Sequence, residues 1–428
     1  MAKKKQDLTP EERLAAALVP KEEWPYALPN GWKWVYLNGI LDVSKEKTEE
    51  FPPDIKYVGL ENIEKDTGRI QAVDAEGIRS TKNIFETGNI LYGKLRPYLN
   101  KHGIAEFDGV CSTDILVFQT APSVEKELLN RYFDLPQFIS FAVSHSKGIN
   151  LPRVSAKEIL TARMPLPPLS EQRRLVARIE SLFAKLDAAR EKVQSVLDSH
   201  EPRKAALLHD AFTGKLTAKW REEKGVTFES WHSDTLKNLC EKITDGTHHS
   251  PPNAETGDYM YITAKNIKET GIELDNVTYV TAAVHEEIYS RCDVQKGDVL
   301  YIKDGATTGI ATVNTLDEPF SLLSSVAVLR PHKDLLLSSY LKHLLNSAEQ
   351  KSKMIRNMSG NAITRLTLSK IKATSIKVCS LPEQQQIVRI LDRLLAREQR
   401  ARQAAEETLT AIDRMKQSIL ARAFRGEL

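Results

Sequence analysis

The chain writes one long passage twice. LSEQRRLVARI (169–179) returns as LPEQQQIVRIL (381–391), so that Glu383-Gln384 follow Glu171-Gln172 at a spacing of 212 residues. The same spacing carries Leu182 onto Leu394, Ala189-Arg190 onto Ala401-Arg402, Lys204 onto Lys416, Ala211-Phe212 onto Ala423-Phe424, and Gly214-x-Leu216 onto Gly426-x-Leu428. Upstream it carries Gly148 onto Gly360 and Arg153 onto Arg365. A gapless register of this length is more than two amphipathic helices sharing a composition. The stretches before it repeat more loosely: YVGLENI (57–63) pairs with YITAKNI (261–267), and TGNILYGKL (87–95) with KGDVLYIKD (296–304). Each half therefore reads as a globular block followed by a helix, 26–165 then 166–216, and 229–378 then 379–428. An N-terminal arm (1–25) and a linker (217–228) complete the division. The period is far too long for a solenoid, so the chain is expected to be a duplicated two-part module with pseudo-twofold symmetry.

The repeated helices look built to pair. Leu175, Ile179, Leu182, Leu186, Ala189, Val193 and Val196 alternate by fours and threes, a heptad seam that needs a partner helix. Pro167-Pro168 followed by Ser170, read as an N-cap, mark the start and Gly214 the end; Pro202 should kink the helix or split off its last turns. The second copy places Ile387, Leu391 and Leu394 on the matching stripe. It then runs through Glu398, Ala401, Ala405, Thr408, Ile412 and Met415, a weakly apolar middle that predicts looser packing. Two equivalent helices in one chain would pack antiparallel. About 42 residues at 1.5 Å each give a rod of roughly 60 Å, against about 34 Å for one turn of B-DNA. Such a rod suits a spacer between separated DNA contacts; a structural core with no such role is the plainer reading.

The globular blocks read as short strands with loops and helical inserts. DILVFQ (114–119) and SVAVLR (325–330) are expected strands. Helical stretches follow at 123–145, broken at Leu135-Pro136, and at about 334–356. The expected class is α+β. At 428 residues, 41% hydrophobic and 27% charged, the chain has ample core material for such blocks. Four scattered cysteines without a C-x-x-C pair favour a reduced, cytoplasmic protein lacking a thiolate zinc site. No apolar run approaches a membrane span, and the start, MAKKKQDLTPEERLAAALVP, does not read as a secretory signal. Within it Thr9 and Glu12 have the spacing of a capping box.

A net charge of only +3 means that a nucleic-acid partner would have to be met by local patches. GKLRPYLNK (93–101) carries Lys94, Arg96, Tyr98 and Lys101; SKGINLPR (146–153) carries Lys147, Asn150 and Arg153. The counterparts in the second half are KDGATTG (303–309), with Lys303, Thr307 and Thr308, and SGNAITR (359–365), with Asn361 and Arg365. From Lys351 to Lys377, Arg356 included, there are seven basic residues and no acidic one. Lysine and arginine neutralise phosphates, arginine and asparagine read base edges, and glycines let the backbone approach. For any single loop, surface charge without a role explains as much; the recurrence at matching places in both halves is what points to a polyanion. TDGTHHSPP (244–252) offers His248 and His249. Adjacent histidines do not converge readily on one ion and no carboxylate or cysteine spacing supports them, so a turn or a DNA-facing loop is preferred to a metal site. Motifs for nucleotide phosphates, dinucleotides, metalloproteases and serine hydrolases are absent. FPPD (51–54) is neither the tetrapeptide of an amino-methyltransferase nor the start of a metal-nuclease site, so catalysis is expected to lie in partners.

Two variable α+β blocks, each followed by an L-[SP]-E-Q helix ending in A-F-x-G-x-L, resemble the specificity subunit of a type I restriction-modification enzyme over nearly the whole chain. The resemblance implies two target recognition domains separated by two long helices forming an antiparallel coiled coil. Each domain would read half of a bipartite site in double-stranded DNA, with the helices fixing the gap. Two modification subunits would dock on the helices and adjoining domains, with the motif residues Glu171, Gln172, Phe212, Glu383, Gln384 and Phe424 as the expected contacts. These subunits would bring S-adenosylmethionine and methylate an adenine in each half-site after flipping it out. Two restriction subunits would add ATP- and Mg²⁺-dependent cleavage. This chain would be non-catalytic and hold no cofactor or metal. A two-headed protein-binding scaffold, whose binding would ignore salt, is the alternative; a self-contained enzyme would have to transfer methyl groups alone.

Overall fold

Two four-stranded antiparallel sheets of the same strand order recur along the chain. In the first, Leu41–Val43 lies beside Ile115–Thr120, then Ile90–Gly93, then His102–Ile104. In the second, Cys240–Asp245 lies beside Val326–Pro331, then Val299–Ile302, then Ala311–Val313. The computed structural model describes residues 8–52, 54–65, 67–75, 79–356 and 366–428. These divide into two compact units, one formed by 1–194 with 407–428, the other by 195–406. Each mixes helices and sheets, as the α+β reading requires. The expected strands are present at Ile115–Thr120 and Val326–Pro331. The first helical insert breaks where Pro136 demands it, into Lys126–Phe133 and Pro136–Ser144.

The duplication persists down to single hydrogen bonds. The YVGLENI and YITAKNI strings each form a strand and a short turn. Asn62 Oδ1 accepts the Gly59 N–H at 2.8 Å, and Asn266 Oδ1 accepts the Thr263 N–H at 3.0 Å. The strand of each string then pairs in parallel, Lys56–Val58 with Gly109–Cys111 and Tyr259–Ile262 with Ser321–Leu322.

The first long helix runs Leu169–Asp198 and a second piece runs His200–Phe212, so Pro202, in the first turn of that piece, splits the rod as expected. Gly214 closes it with φ +79. The other long helix, Leu381–Arg425, is continuous. One expectation fails at the first helix start. Ser170 is not the N-cap: the Pro168 carbonyl already accepts the Gln172 N–H at 3.0 Å, which places Ser170 inside the first turn.

Within each unit the helical segments run antiparallel. In the first, Asp187 meets Lys416 at 2.5 Å and Arg190 meets Asp413. In the second, Arg203 meets Glu398 at 2.7 Å. The seam residues Leu175 and Ile179 are buried, and Leu182, Leu186, Ala189 and Val193 are half-buried. The other helix buries Ala405, Ile412 and Leu420 but leaves Ala401 and Thr408 exposed, the sparse packing its composition predicts. Met415 does not join the seam; it is exposed, and Lys416 beside it turns inward over the Phe183 ring.

Each unit's core also takes in the end of a helix from the other copy. Phe424 packs edge-on to Tyr132 in the first unit, and Phe212 edge-on to Tyr340 in the second. Thr9 and Glu12 form the predicted capping box, and Arg13 bonds Asp42 and the Leu41 carbonyl.

Candidate nucleic-acid interface

In the first unit the two basic loops form one surface. The 94–101 loop joins strands Ile90–Gly93 and His102–Ile104. The Lys94 N–H donates to the Asp114 carbonyl at 2.9 Å and the Val154 N–H donates back to Lys94 at 3.0 Å. The Arg96 N–H donates to the Pro152 carbonyl at 2.7 Å, while Lys147 and Arg153 exchange two backbone bonds of 2.9 Å. Asp114 sits between the loops and pairs with Arg153 at 3.2 Å and Lys94 at 3.7 Å. Arg96, Tyr98, Lys147 and Asn150 face outward, and among the described residues no carboxylate pairs with Arg96 or Lys147. Lys101 departs from expectation: its ammonium turns inward to the Leu60 carbonyl at 2.7 Å. Arg96 and Asn100 adopt left-handed backbone angles, φ 53 and 45, the two non-glycine cases among the described residues. Such geometry is costly for a side-chain-bearing residue and tends to gather where a surface is used.

The second unit repeats at Lys303 the two backbone bonds of Lys94 and then uses the side chain differently. The Lys303 N–H donates to the Ser325 carbonyl at 2.9 Å, and the Leu366 N–H to the Lys303 carbonyl at 3.3 Å. The Lys303 ammonium, however, is buried between Asp304 at 2.8 Å and Asp245 at 3.4 Å, and Asp245 also holds Arg291 at 2.5 Å. Thr308 is buried too, its hydroxyl donating to the Gly305 carbonyl at 2.7 Å. Lys303 and Thr308, expected on a DNA-facing surface, are thus enclosed within the second unit. An ion so enclosed neutralises its own carboxylates rather than a phosphate. Thr307, His248, His249 and Arg356 remain exposed. His248 lies 3.3 Å from Asp245, and the His249 ring lies 3.0 Å from the Thr247 hydroxyl. Asn361 and Arg365 lie outside the described residues. Among those residues no group of histidine, cysteine and carboxylate side chains has the geometry to hold a metal, and no helix is long and apolar enough to cross a membrane.

The repeated motif residues are mostly spent inside the chain. Gln172 accepts the Glu125 N–H at 2.8 Å and donates to the Ser123 and Pro167 carbonyls. Gln384 does the same for Leu337, Leu335 and Cys379, each 212 residues further on. Both glutamines are buried, as are Glu383, Phe212 and Phe424. They lock each block onto its helix, and of the six expected partner contacts Glu171 alone keeps substantial exposure. Beside each helix pair lies a cavity, about 460 Å³ around Phe183, Arg190 and Lys416 and about 560 Å³ around Leu395, Arg402 and Lys204. These residues correspond under the same spacing.

The four cysteines are buried, and burial pushes each thiol up to about 12. Since the thiolate is the reactive form, we expect iodoacetamide at pH 7.5 to label none of Cys111, Cys240, Cys292 and Cys379 until denaturant is added. Mass spectrometry of the native chain checks this, and rapid native labelling would contradict it.

Sequence reasoning passed over Ile149 and Leu151, which stand exposed at the tip of the 147–153 loop. Two apolar residues between a lysine and an arginine, beside a glycine and a proline and too few to make a buried strand, were the available signal.

The family model described as type I restriction modification DNA specificity domain matches the chain twice, at 29–197 and 229–407. The type I restriction enzyme EcoDI specificity subunit of Escherichia coli is 33% identical over 238 residues, 55% of this chain and 52% of that protein. The chain thus matches about half the length of this relative. The EcoBI specificity subunit of Escherichia coli is 24% identical over 336 residues, 74% of this chain and 70% of the relative. Among solved structures, a chain from a study of complex assembly and conformational transition of the type I R-M system superposes with a TM-score of 0.75 at 23% identity. It covers 94% of this chain and 100% of its own. The HsdS subunit from Thermoanaerobacter tengcongensis gives 0.59 at 22% identity, covering 95% and 100%.

Proposed function

Since the chain belongs to the type I restriction modification DNA specificity family, we propose that it is the DNA-reading, non-catalytic subunit of such a complex. Each block takes half of a bipartite site in double-stranded DNA. The long helices set the gap between the halves and, through their exposed faces, receive two modification subunits; two restriction subunits join that assembly. S-adenosylmethionine, ATP and Mg²⁺ belong to those partners. The observation that carries this reading is the pair of basic loops at the edge of the first four-stranded sheet, together with the two backbone hydrogen bonds at Lys94 that recur at Lys303 in the second half. A matched backbone frame with different side chains suits two readers of different sequences: the frame positions the loops on phosphates and the side chains select bases.

The test is to purify the complex with its modification subunit and sequence the adenines it methylates. Deleting one heptad from each helix, residues 184–190 and 396–402, removes about 10 Å of rod, equivalent to about 3 base pairs at 3.4 Å each. We expect both half-sites to stay the same while the gap between them shortens by that amount. Methylation of sites with the original gap would refute the spacer role.

A further inference from the structure

The loop closed by Lys147 and Arg153 presents its apolar residues to solvent. Ile149 is 100% exposed and Leu151 44% exposed, with Tyr98 of the adjoining loop at 52%. A β-branched side chain wholly in water contributes nothing to folding. Yet the backbone around it is closely specified. Gly148 has φ +104, and a Cβ there would stand 3.0 Å from the Leu151 carbonyl oxygen. The paired bonds between Lys147 and Arg153 close the loop, and Arg96, itself left-handed, ties it to the neighbouring hairpin. The tip is therefore a short, braced point, apolar at its end and flanked by Arg96 and Lys147, cations with no carboxylate partner among the described residues.

We propose that Ile149, backed by Leu151, is a wedge that inserts between base pairs of the half-site read by the first unit; this rests on the DNA-reading function proposed above. Isoleucine and leucine inserted at a base step unstack it and kink the duplex. A partner that must extrude an adenine gains from a duplex already opened nearby, because part of the unstacking is then supplied by the reading subunit. The surrounding charge favours DNA over a protein surface: cations flank the tip, and Asp114, the carboxylate seen between the loops, is occupied by Lys94 and Arg153. The device is one-sided. At the 212-residue spacing Ile149 corresponds to Asn361, a polar residue, so the second half-site should not be wedged.

The experiment uses the full complex with its modification subunit and duplexes containing its own methylated sequence, with 2-aminopurine placed in turn at each step of each half-site. Wild-type complex should raise fluorescence at one step of the first unit's half-site beyond the flipped adenine. Ile149→Ser should abolish that rise and weaken specific binding about tenfold, which is about 1.4 kcal/mol. The salt dependence should be unchanged, because no charge is lost. Ile149→Leu should restore both, and the melting temperature of Ile149→Ser should match the wild type. Binding within twofold of wild type, or an unaltered fluorescence profile, overturns the wedge. So does loss of modification-subunit capture by Ile149→Ser without DNA, which would make the tip a protein contact. A wild-type complex that does not bind its duplex at all removes the DNA-reading function and the wedge together.

Discussion

Glu383→Ala is expected to destabilise the second unit by about 3–5 kcal/mol, the range for stranding one partner of a buried ion pair. The Glu383 carboxylate is fully buried. One oxygen accepts from Arg221 Nη1 at 2.5 Å and from the Thr217 hydroxyl at 2.7 Å, and the other from the Trp231 indole N–H at 3.1 Å. Arg221 is itself almost enclosed, lies over the Phe228 ring and donates to the Gly214 carbonyl at 2.7 Å. Alanine would leave that guanidinium desolvated without its anion, with two further donors unsatisfied. The repeat supplies the control. Glu171 occupies the same motif position but pairs, among the described residues, with Arg174 near the surface, an arrangement that holds its carboxyl below the usual range. Glu171→Ala should cost no more than about 1 kcal/mol once solvent screening is counted. Calorimetry of the full chain should show one transition moving sharply for Glu383→Ala and little change for Glu171→Ala. Equal shifts would mean that the carboxylate's surroundings have been misassigned.

That contrast also shows what a sequence can and cannot display. The duplication was legible because the same string recurs at a fixed spacing, and the strand and helix segments, the capping box at Thr9–Glu12, the split at Pro202 and the stop at Gly214 because each is fixed by residues within a few positions of one another. The pairing of the helices was legible because a heptad seam states its own need for a partner. Side-chain direction was not. Lys303 and Lys94 are equivalent in the repeat and in their backbone bonds, yet one is enclosed by Asp245 and Asp304 while the other stays near the surface. Asp245 is brought to Lys303 from a strand some 58 residues earlier, and nothing local announces it. Lys101 turned inward for the same kind of reason, toward the Leu60 carbonyl. Gln172 and Gln384 looked like surface signatures because their motif recurs. Their recurrence instead reflects a buried polar group that must satisfy the same three backbone partners in each copy.

The largest effect is expected from salt. A complex that neutralises about six phosphates should lose roughly 10³-fold in DNA affinity between 50 and 200 mM salt, since each released counterion contributes about 0.9 to the slope of log affinity against log salt. Exposed, unpaired cations should contribute to that slope and enclosed ones should not. Arg96→Ala and Lys147→Ala remove side chains that face outward and have no carboxylate partner among the described residues, so each should flatten the slope by about 0.9 and weaken binding to all sequences alike. Arg153→Ala should do less, because Asp114 already holds part of its charge. Lys303→Met should leave the slope unchanged and instead lower the stability of the second unit, because Asp245 and Asp304 would lose a buried cation. Fluorescence anisotropy of the assembled complex across a salt series measures all four. A flat response in the wild type would remove the phosphate-contacting surface altogether. A Lys303→Met slope that fell like that of Lys147→Ala would show that the enclosed lysine swings out to meet DNA.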